Sequence, residues 1–198
     1  MIAIVDTGGA NIASVVNAFY RLGLSAELTD DATLIRESSH VILPGVGAAE
    51  DSMNRLKAKG LVEVIRSLTQ PVLGICLGMQ LLFEKSEEGN VDCLGIFPGT
   101  VSAMLPNAEK EITIPHMGWN ELRIENFQNP LVQNLPAPSY VYFVHSYCGP
   151  MGDWVAATAN HGVDVPAIVS KNNFMGTQFH PERSGTVGAQ ILRNFLSL

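Results

Sequence analysis

Pro71-Val72-Leu73-Gly74-Ile75-Cys76-Leu77-Gly78-Met79-Gln80-Leu81-Leu82 is the stretch on which the reading of the whole chain turns. A short apolar run of strand character passes through a cysteine into a sequence that suits a helix. Gly74 and Gly78 flank Cys76 at the spacing of a G-x-S-x-G nucleophile elbow, where missing side chains let a strand-to-helix turn tighten and lift the nucleophile clear of the backbone. Here the nucleophile would be sulfur. A cysteine opening a helix meets unpaired backbone N–H groups and the positive end of the helix dipole, and both favour thiolate. Gln80, one helical turn on, shares the face of that sulfur. The competing reading of Cys76 is a buried core cysteine on a Gly-rich strand end, and the paired glycines count against it.

Working outward, the residues before Pro71 alternate between two periods. Ile2 to Val5 is a continuous apolar run followed by a turn at Asp6-Thr7-Gly8-Gly9, after which Ile12, Val15, Val16, Phe19 and Leu22 recur at helical spacing up to Gly23. Ala26 to Thr29 suits a second strand, Asp31 to Glu37 a short helix, and Val41 to Leu43 a third strand stopped by Pro44. Helical segments over Asp51 to Lys59 and Leu61 to Leu68 precede the fourth strand, Pro71 to Ile75. Strands alternating with helices imply a parallel sheet covered on both faces. Ligands collect beyond the carboxyl ends of such strands, where Gly8, Gly45 and Cys76 would fall. From about Ile96 the texture changes to short β-favouring pieces: Val101 to Leu105, Glu111 to Ile114, Glu121 to Ile124, Tyr140 to Val144, Trp154 to Thr158, Ala167 to Ser170 and Met175 to Phe179. Gly188 to Leu198 closes the chain as an amphipathic helix. The expected fold is α/β: a single domain over residues 1–198, mostly parallel sheet with helices on both faces, plus antiparallel additions.

Composition narrows the partners. The 198 residues suffice for one ordinary core, and a formal charge of −7 offers no footprint for nucleic acid or an anionic membrane. No apolar run approaches bilayer length, and the strand-like start at Met1 argues against a signal peptide. Cys76, Cys93 and Cys148 are an odd count without metal-ligand spacing, which fits a reducing cytosol and no metal site.

A cysteine nucleophile needs a base, and the candidates are His40, His116, His145, His161 and His180. In Gln178-Phe179-His180-Pro181-Glu182 an extended chain would put the imidazole and the carboxylate on one side, with Pro181 biasing His180 toward extension. Glu182 could then orient the ring while its far nitrogen faces the thiol. Pro44-Gly45-Val46-Gly47 follows a predicted strand, and its glycines let a backbone N–H point at a developing oxyanion, with Leu77 N–H as the second donor. The absence of a following Gly-Lys-Ser/Thr rules against a phosphate loop.

Together Gly74 to Gln80, His180-Pro181-Glu182 and the Pro44 turn resemble a class I glutamine amidotransferase. Within that family Pro115 to Asn120, Tyr142 to Tyr147 and Gln178 to Ser184 are similar, in order and spacing, to the glutaminase subunits of imidazole glycerol phosphate synthases. The resemblance covers essentially the whole chain and implies a fold of flavodoxin type without cofactor. It implies that Cys76 attacks the side-chain amide of glutamine, that His180 and Glu182 complete the triad, and that Val46 and Leu77 form the oxyanion hole. Gly47, Gln80, Glu88, Ser146 and Tyr147 match glutamine contacts, Glu88 meeting the ammonium. Ammonia would pass to a (β/α)₈ cyclase partner that makes imidazole glycerol phosphate and AICAR in histidine biosynthesis in the cytoplasm, and Trp119, Asn120 and Tyr142 match positions facing it. Cys93 and Cys148 match no catalytic position and are read as packing residues. Two alternatives stay open: a glutaminase of another pathway, such as pyridoxal phosphate or purine synthesis, and a non-catalytic flavodoxin-like protein with Cys76 as a redox-sensing thiol.

Overall fold

The computed structural model describes residues 1–8, 12–45, 47–110 and 112–198. The first half alternates as the apolar periods require. Strands β1 (Ile2–Val5), β2 (Ala26–Thr29), β3 (His40–Leu43) and β4 (Val72–Ile75) are separated by helices α1 (Ile12–Arg21), α2 (Ala32–Glu37), α3 (Ala49–Ala58) and α4 (Leu61–Arg66). Asp31 starts α2 by accepting from the Thr33 and Leu34 N–H groups, satisfying two donors that the first turn leaves without a helical partner. After β4 come α5 (Leu77–Gln80), β5 (Phe83–Ser86), β6 (Val91–Asp92), β7 (Phe97–Ala103), β8 (His116–Glu121) and β9 (Arg123–Ile124). The remainder is β10 (Tyr140–His145), β11 (Tyr147–Cys148), β12 (Val155–Asn160), β13 (Asp164–Lys171), β14 (Phe174–Thr177) and α6 (Gly185–Leu196).

Among the described residues the main sheet has the order β2-β1-β3-β4-β14-β13-β12-β9. β2, β1, β3, β4 and β14 run parallel, and β13, β12 and β9 extend the sheet antiparallel. Both faces are covered, so β1, β3, β4 and β14 are buried almost without alternation, while β2 at the edge exposes Glu27 and Leu28. Ala3, Val5, Val41, Leu43 and Val72 pack on one face with α3 and α4, while Ile2, Ile4, Ile42, Leu73 and Ile75 pack on the other with α1 and α6.

Several strands differ from the sequence reading. The piece expected over Glu111 to Ile114 forms only a bridge between Ile112 and Asn107, with Glu111 outside the described residues. The piece expected over Glu121 to Ile124 is split, because buried Leu122 lies where the chain leaves its pairing with β10 and joins β12. β5 and β6 were hidden by Glu84, Lys85 and Asp92, whose charge suits the exposed side of a small sheet, β11-β7-β5-β6.

The junction of β4 with α5 is packed backbone against backbone. A Cβ on Gly78 would lie 1.8 Å from the Leu43 carbonyl oxygen, and one on Gly74 2.6 Å from the Gly78 carbonyl oxygen. Backbone cannot yield there as a side-chain tip can. Gly78→Ala is therefore expected to destabilise the protein by upward of about 3 kcal/mol and to lower Tm by more than about 6 °C. A thermal melt within about 2 °C of wild type would show that the junction is looser than described.

Candidate active site

β4 ends at Ile75, and Cys76 takes φ 54° and ψ −110° between strand and helix. Such a conformation is costly for a residue with a Cβ and persists only where its surroundings enforce it. Here the enforcement is Gly78 seated on Leu43, together with a 2.7 Å hydrogen bond from the Cys76 N–H to the Thr177 carbonyl on β14. The sulfur is lifted off the strand end and faces three groups. Sγ lies 3.8 Å from the Val144 carbonyl oxygen and 3.8 Å from the Gln178 amide Nε2, and the His180 ring is its hydrogen-bond partner. α5 is a single turn of four residues, so the dipole expected of a long helix is reduced to the local N–H groups. Leu77 N–H, first in that turn, has no helical acceptor and sits in the lining of the cavity beside the sulfur.

His180 and Glu182 come together by a different route from the one expected. β14 stops at Thr177, and the chain enters a 3-10 turn over Pro181–Arg183 with extended His180 as its cap. The pair is thus formed across a turn rather than along a strand. His180 Nδ1 lies 2.7 Å from Glu182 Oε1, with both side chains almost wholly buried. Nδ1 facing the carboxylate leaves Nε2 for Cys76. Burial works against a charge on this ring, but hydrogen bonds to Cys76 and Glu182, with the negative charge of both, outweigh it and push the His180 pKa up to about 10.

These groups open into a cavity of about 280 Å³ lined by Gly45, Gly47, Leu77, Gln80, Glu88, His145, Ser146 and Tyr147 as well as by Cys76 and His180. It falls just below the ~300–1,000 Å³ range of ligand pockets, the size of an amino acid rather than of a nucleotide. The five residues expected to contact glutamine therefore meet in one cavity with Cys76. Glu88, which composition suggests is a solvated helix end, lies in the hairpin turn between β5 and β6, and its Oε2 accepts from the Ala49 N–H at the start of α3. Val46, the expected oxyanion donor, lies outside the described residues. Buried Thr7, just after β1, donates its hydroxyl to the Pro44 carbonyl at 3.2 Å, a tie to the segment after β3 that no motif indicates. Trp119, Asn120 and Tyr142 lie away from the sulfur on the β8–β10 ribbon, where Trp119 is 58% exposed and stacks edge-on against Tyr142.

Sequence reasoning passed over Gln178, His145 and His116. Gln178 is wholly buried and bridges Gln80 to the sulfur, while His116 and His145 touch through their rings at 2.9 Å. Gln178 stands inside the His180 motif, and the two histidines stand among the five candidate bases, so the residues were visible although their contacts were not. Among the described residues no group of three His, Cys, Asp or Glu side chains is disposed to hold a metal, and no helix is long and apolar enough to cross a membrane.

The elbow, the buried His–Glu pair and the parallel sheet agree with comparison to known proteins. The chain belongs to the class-I glutamine amidotransferase family, which it matches over residues 3–198, and is thus an enzyme of glutamine hydrolysis. Within the family it is 50% identical over 198 residues to imidazole glycerol phosphate synthase subunit HisH 2 of Legionella pneumophila strain Lens, covering 100% of this chain and 98% of that one. It is likewise 50% identical over 197 residues to the HisH subunit of Xanthomonas axonopodis pv. citri strain 306, covering 100% and 97%. A crystal structure of a glutamine amidotransferase superposes with TM-score 0.75 over 99% of this chain and 97% of that one at 19% identity, which supports the fold.

Two expectations follow from the electrostatics. Burial lowers the His145 pKa to about 4, so the unfolded chain takes up its proton near pH 6.5 and the folded protein only near pH 4. Between those values the unfolded state binds more protons, and stability that is complete above pH 6.5 is lost as the pH falls. His180 acts in the opposite sense, adding stability that is complete below pH 6.5 and lost as the pH climbs through about 10. Urea titrations at pH 7 and pH 5 should show wild type losing ~2 kcal/mol more than His145→Gln. Equal losses would remove His145 as the cause. For the thiols, burial pushes Cys93 up to about 11 and Cys148 also upward, so limiting iodoacetamide should modify Cys76 first. Earlier labelling of Cys93 or Cys148 in peptide maps would contradict this.

Proposed function

We propose that this chain is the glutaminase subunit of an imidazole glycerol phosphate synthase, acting as one amidotransferase domain over residues 1–198. The observation that carries the reading is a Cys76–His180–Glu182 array opening into an amino-acid-sized pocket, in a chain 50% identical along its whole length to a HisH subunit. Glutamine enters with its side-chain amide toward Cys76 and its ammonium toward Glu88, one oxygen of which is already engaged by Ala49. Gly47, Gln80, Ser146 and Tyr147 hold the carboxylate end.

With the Cys76 proton carried by His180 Nε2, the sulfur attacks the amide carbon, and the oxygen that becomes negative accepts from Leu77 N–H and from Val46 N–H. His180 Nε2 gives its proton to the departing nitrogen, the C–N bond breaks, and ammonia leaves a glutamyl thioester on Cys76. Water then attacks the thioester with His180 taking its proton, and glutamate and the free sulfur result. Glu182 keeps Nδ1–H engaged throughout, fixing the ring and supporting its positive charge. The ammonia is used by a (β/α)₈ cyclase that docks on the ribbon bearing Trp119, Asn120 and Tyr142 and makes imidazole glycerol phosphate and AICAR, in the cytoplasm.

Cys76→Ala should abolish glutamine-dependent synthesis in the reconstituted complex and leave ammonia-dependent synthesis at wild-type rate, because the nucleophile liberates nitrogen and does not consume it. Loss of the ammonia reaction in a folded, assembled variant, or failure of wild type to activate any cyclase, would defeat the reading.

A further inference from the structure

Behind the glutamine pocket two buried histidines take no part in the steps above. Asn120 Oδ1 accepts from the Glu121 N–H at 2.8 Å and its Nδ2 donates to the Asn160 carbonyl at 2.8 Å, which together fix the orientation of the amide. Its second Nδ2 hydrogen is directed at His116 Nε2, 3.1 Å away, so that nitrogen is an acceptor and the proton of neutral His116 sits on Nδ1. His116 Nδ1 lies 2.9 Å from His145 Nε2, which must then accept, and His145 Nδ1–H donates to the Tyr147 carbonyl at 2.8 Å. Every link runs in one direction.

The rings have little freedom to do otherwise. His116 is stacked between Phe143 at 4.4 Å and His161 at 4.2 Å, and each of its ring nitrogens and those of His145 is used. A charge on either ring would set two N–H groups against each other at one link. The inner end is the pocket itself. The Tyr147 carbonyl also accepts from Gln80 Nε2 at 2.8 Å, Gln80 Nε2 donates to Gln178 Oε1 at 3.0 Å, and Gln178 Nε2 approaches Cys76 Sγ.

We propose that His116 and His145 are positioning residues for glutamine: a one-way relay from Asn120 holds the Tyr147 peptide, and through it Gln80, in the arrangement that binds the substrate's unreacting end. This rests on the reading of the pocket as a glutamine site. Breaking the relay leaves a buried acceptor on His145 without its donor and frees the Tyr147 carbonyl to turn.

In the complex with its cyclase, His116→Leu should raise KM for glutamine about tenfold or more with kcat little changed, since the displaced groups bind ground and transition states alike. Ammonia-dependent synthesis should be untouched, and His116→Gln, which keeps one donor and one acceptor, should return KM to within about threefold of wild type. On the wild-type protein at pH 7, nitrogen-15 long-range spectra of labelled histidine should show both His116 and His145 as neutral Nδ1–H tautomers. An Nε2–H or charged form of either ring, or an unchanged KM in folded His116→Leu complex, would overturn the relay. Absence of glutamine hydrolysis by the wild-type complex would instead overturn the reading of the site, with the tautomer measurement still deciding the relay.

Discussion

Three backbones meet where β4 turns into α5, and the absence of Cβ atoms at Gly74 and Gly78 is what lets them meet. The Leu43 carbonyl at the end of β3 rests against Gly78, and Gly45 also closely approaches the Leu77–Gly78 peptide, a Cβ on it falling 2.5 Å from the Gly78 nitrogen. This contact brings the Gly-rich turn after β3 alongside the first N–H groups of α5. It also leaves Cys76 no ordinary conformation, and the strained φ and ψ that result carry the sulfur out of the sheet toward His180 and Val144. A looser junction would keep the parallel sheet and lose the site.

The charged part of the site depends on burial as much as on pairing. The Glu182 side chain is almost inaccessible to solvent, and its Oε1 has His180 while its Oε2 has no hydrogen-bond partner among the described residues. A buried carboxylate is tolerable only beside a positive group, so the pair favours imidazolium. His116 and His145 are also buried but have no carboxylate beside them among the described residues, and burial, helped by repulsion from neighbouring histidines, drives them the other way, to about 3 and about 4. Burial thus accompanies one raised and two lowered histidines, and the difference is the neighbour.

The working surface is built from parts distant in sequence. The cavity takes Gly47 from the turn after β3, Gln80 from α5, Glu88 from the β5–β6 hairpin, Ser146 and Tyr147 from the link after β10, and His180 from the chain end after β14. The parallel sheet makes this economical, because β3, β4 and β14 are neighbours and end on the same side. The β8–β10 ribbon adds one wall from outside the sheet, and its buried face supplies Phe143 and His116 while its other face presents Trp119 and Met117 to solvent.

What the sequence by itself determined was everything carried by local period and local sterics. The alternation of strands and helices up to Ile75, the elbow at Gly74 to Gly78, and the pairing of His180 with Glu182 could be read from spacing, because those properties depend on neighbours within one or two turns of chain. Joining that pair to Cys76 rested instead on the chemistry a nucleophile needs and on the family resemblance. Tertiary structure alone decided the rest. Whether Glu84 and Lys85 belong to a strand depended on β7, which begins only at Phe97, beyond β6. The split at Leu122 depended on two different partner strands, and the placement of Glu88 depended on the approach of α3. His116 and His145 are 29 residues apart and become one relay only because antiparallel pairing of β8 with β10 sets them opposite each other, a register that no local pattern in either strand specifies.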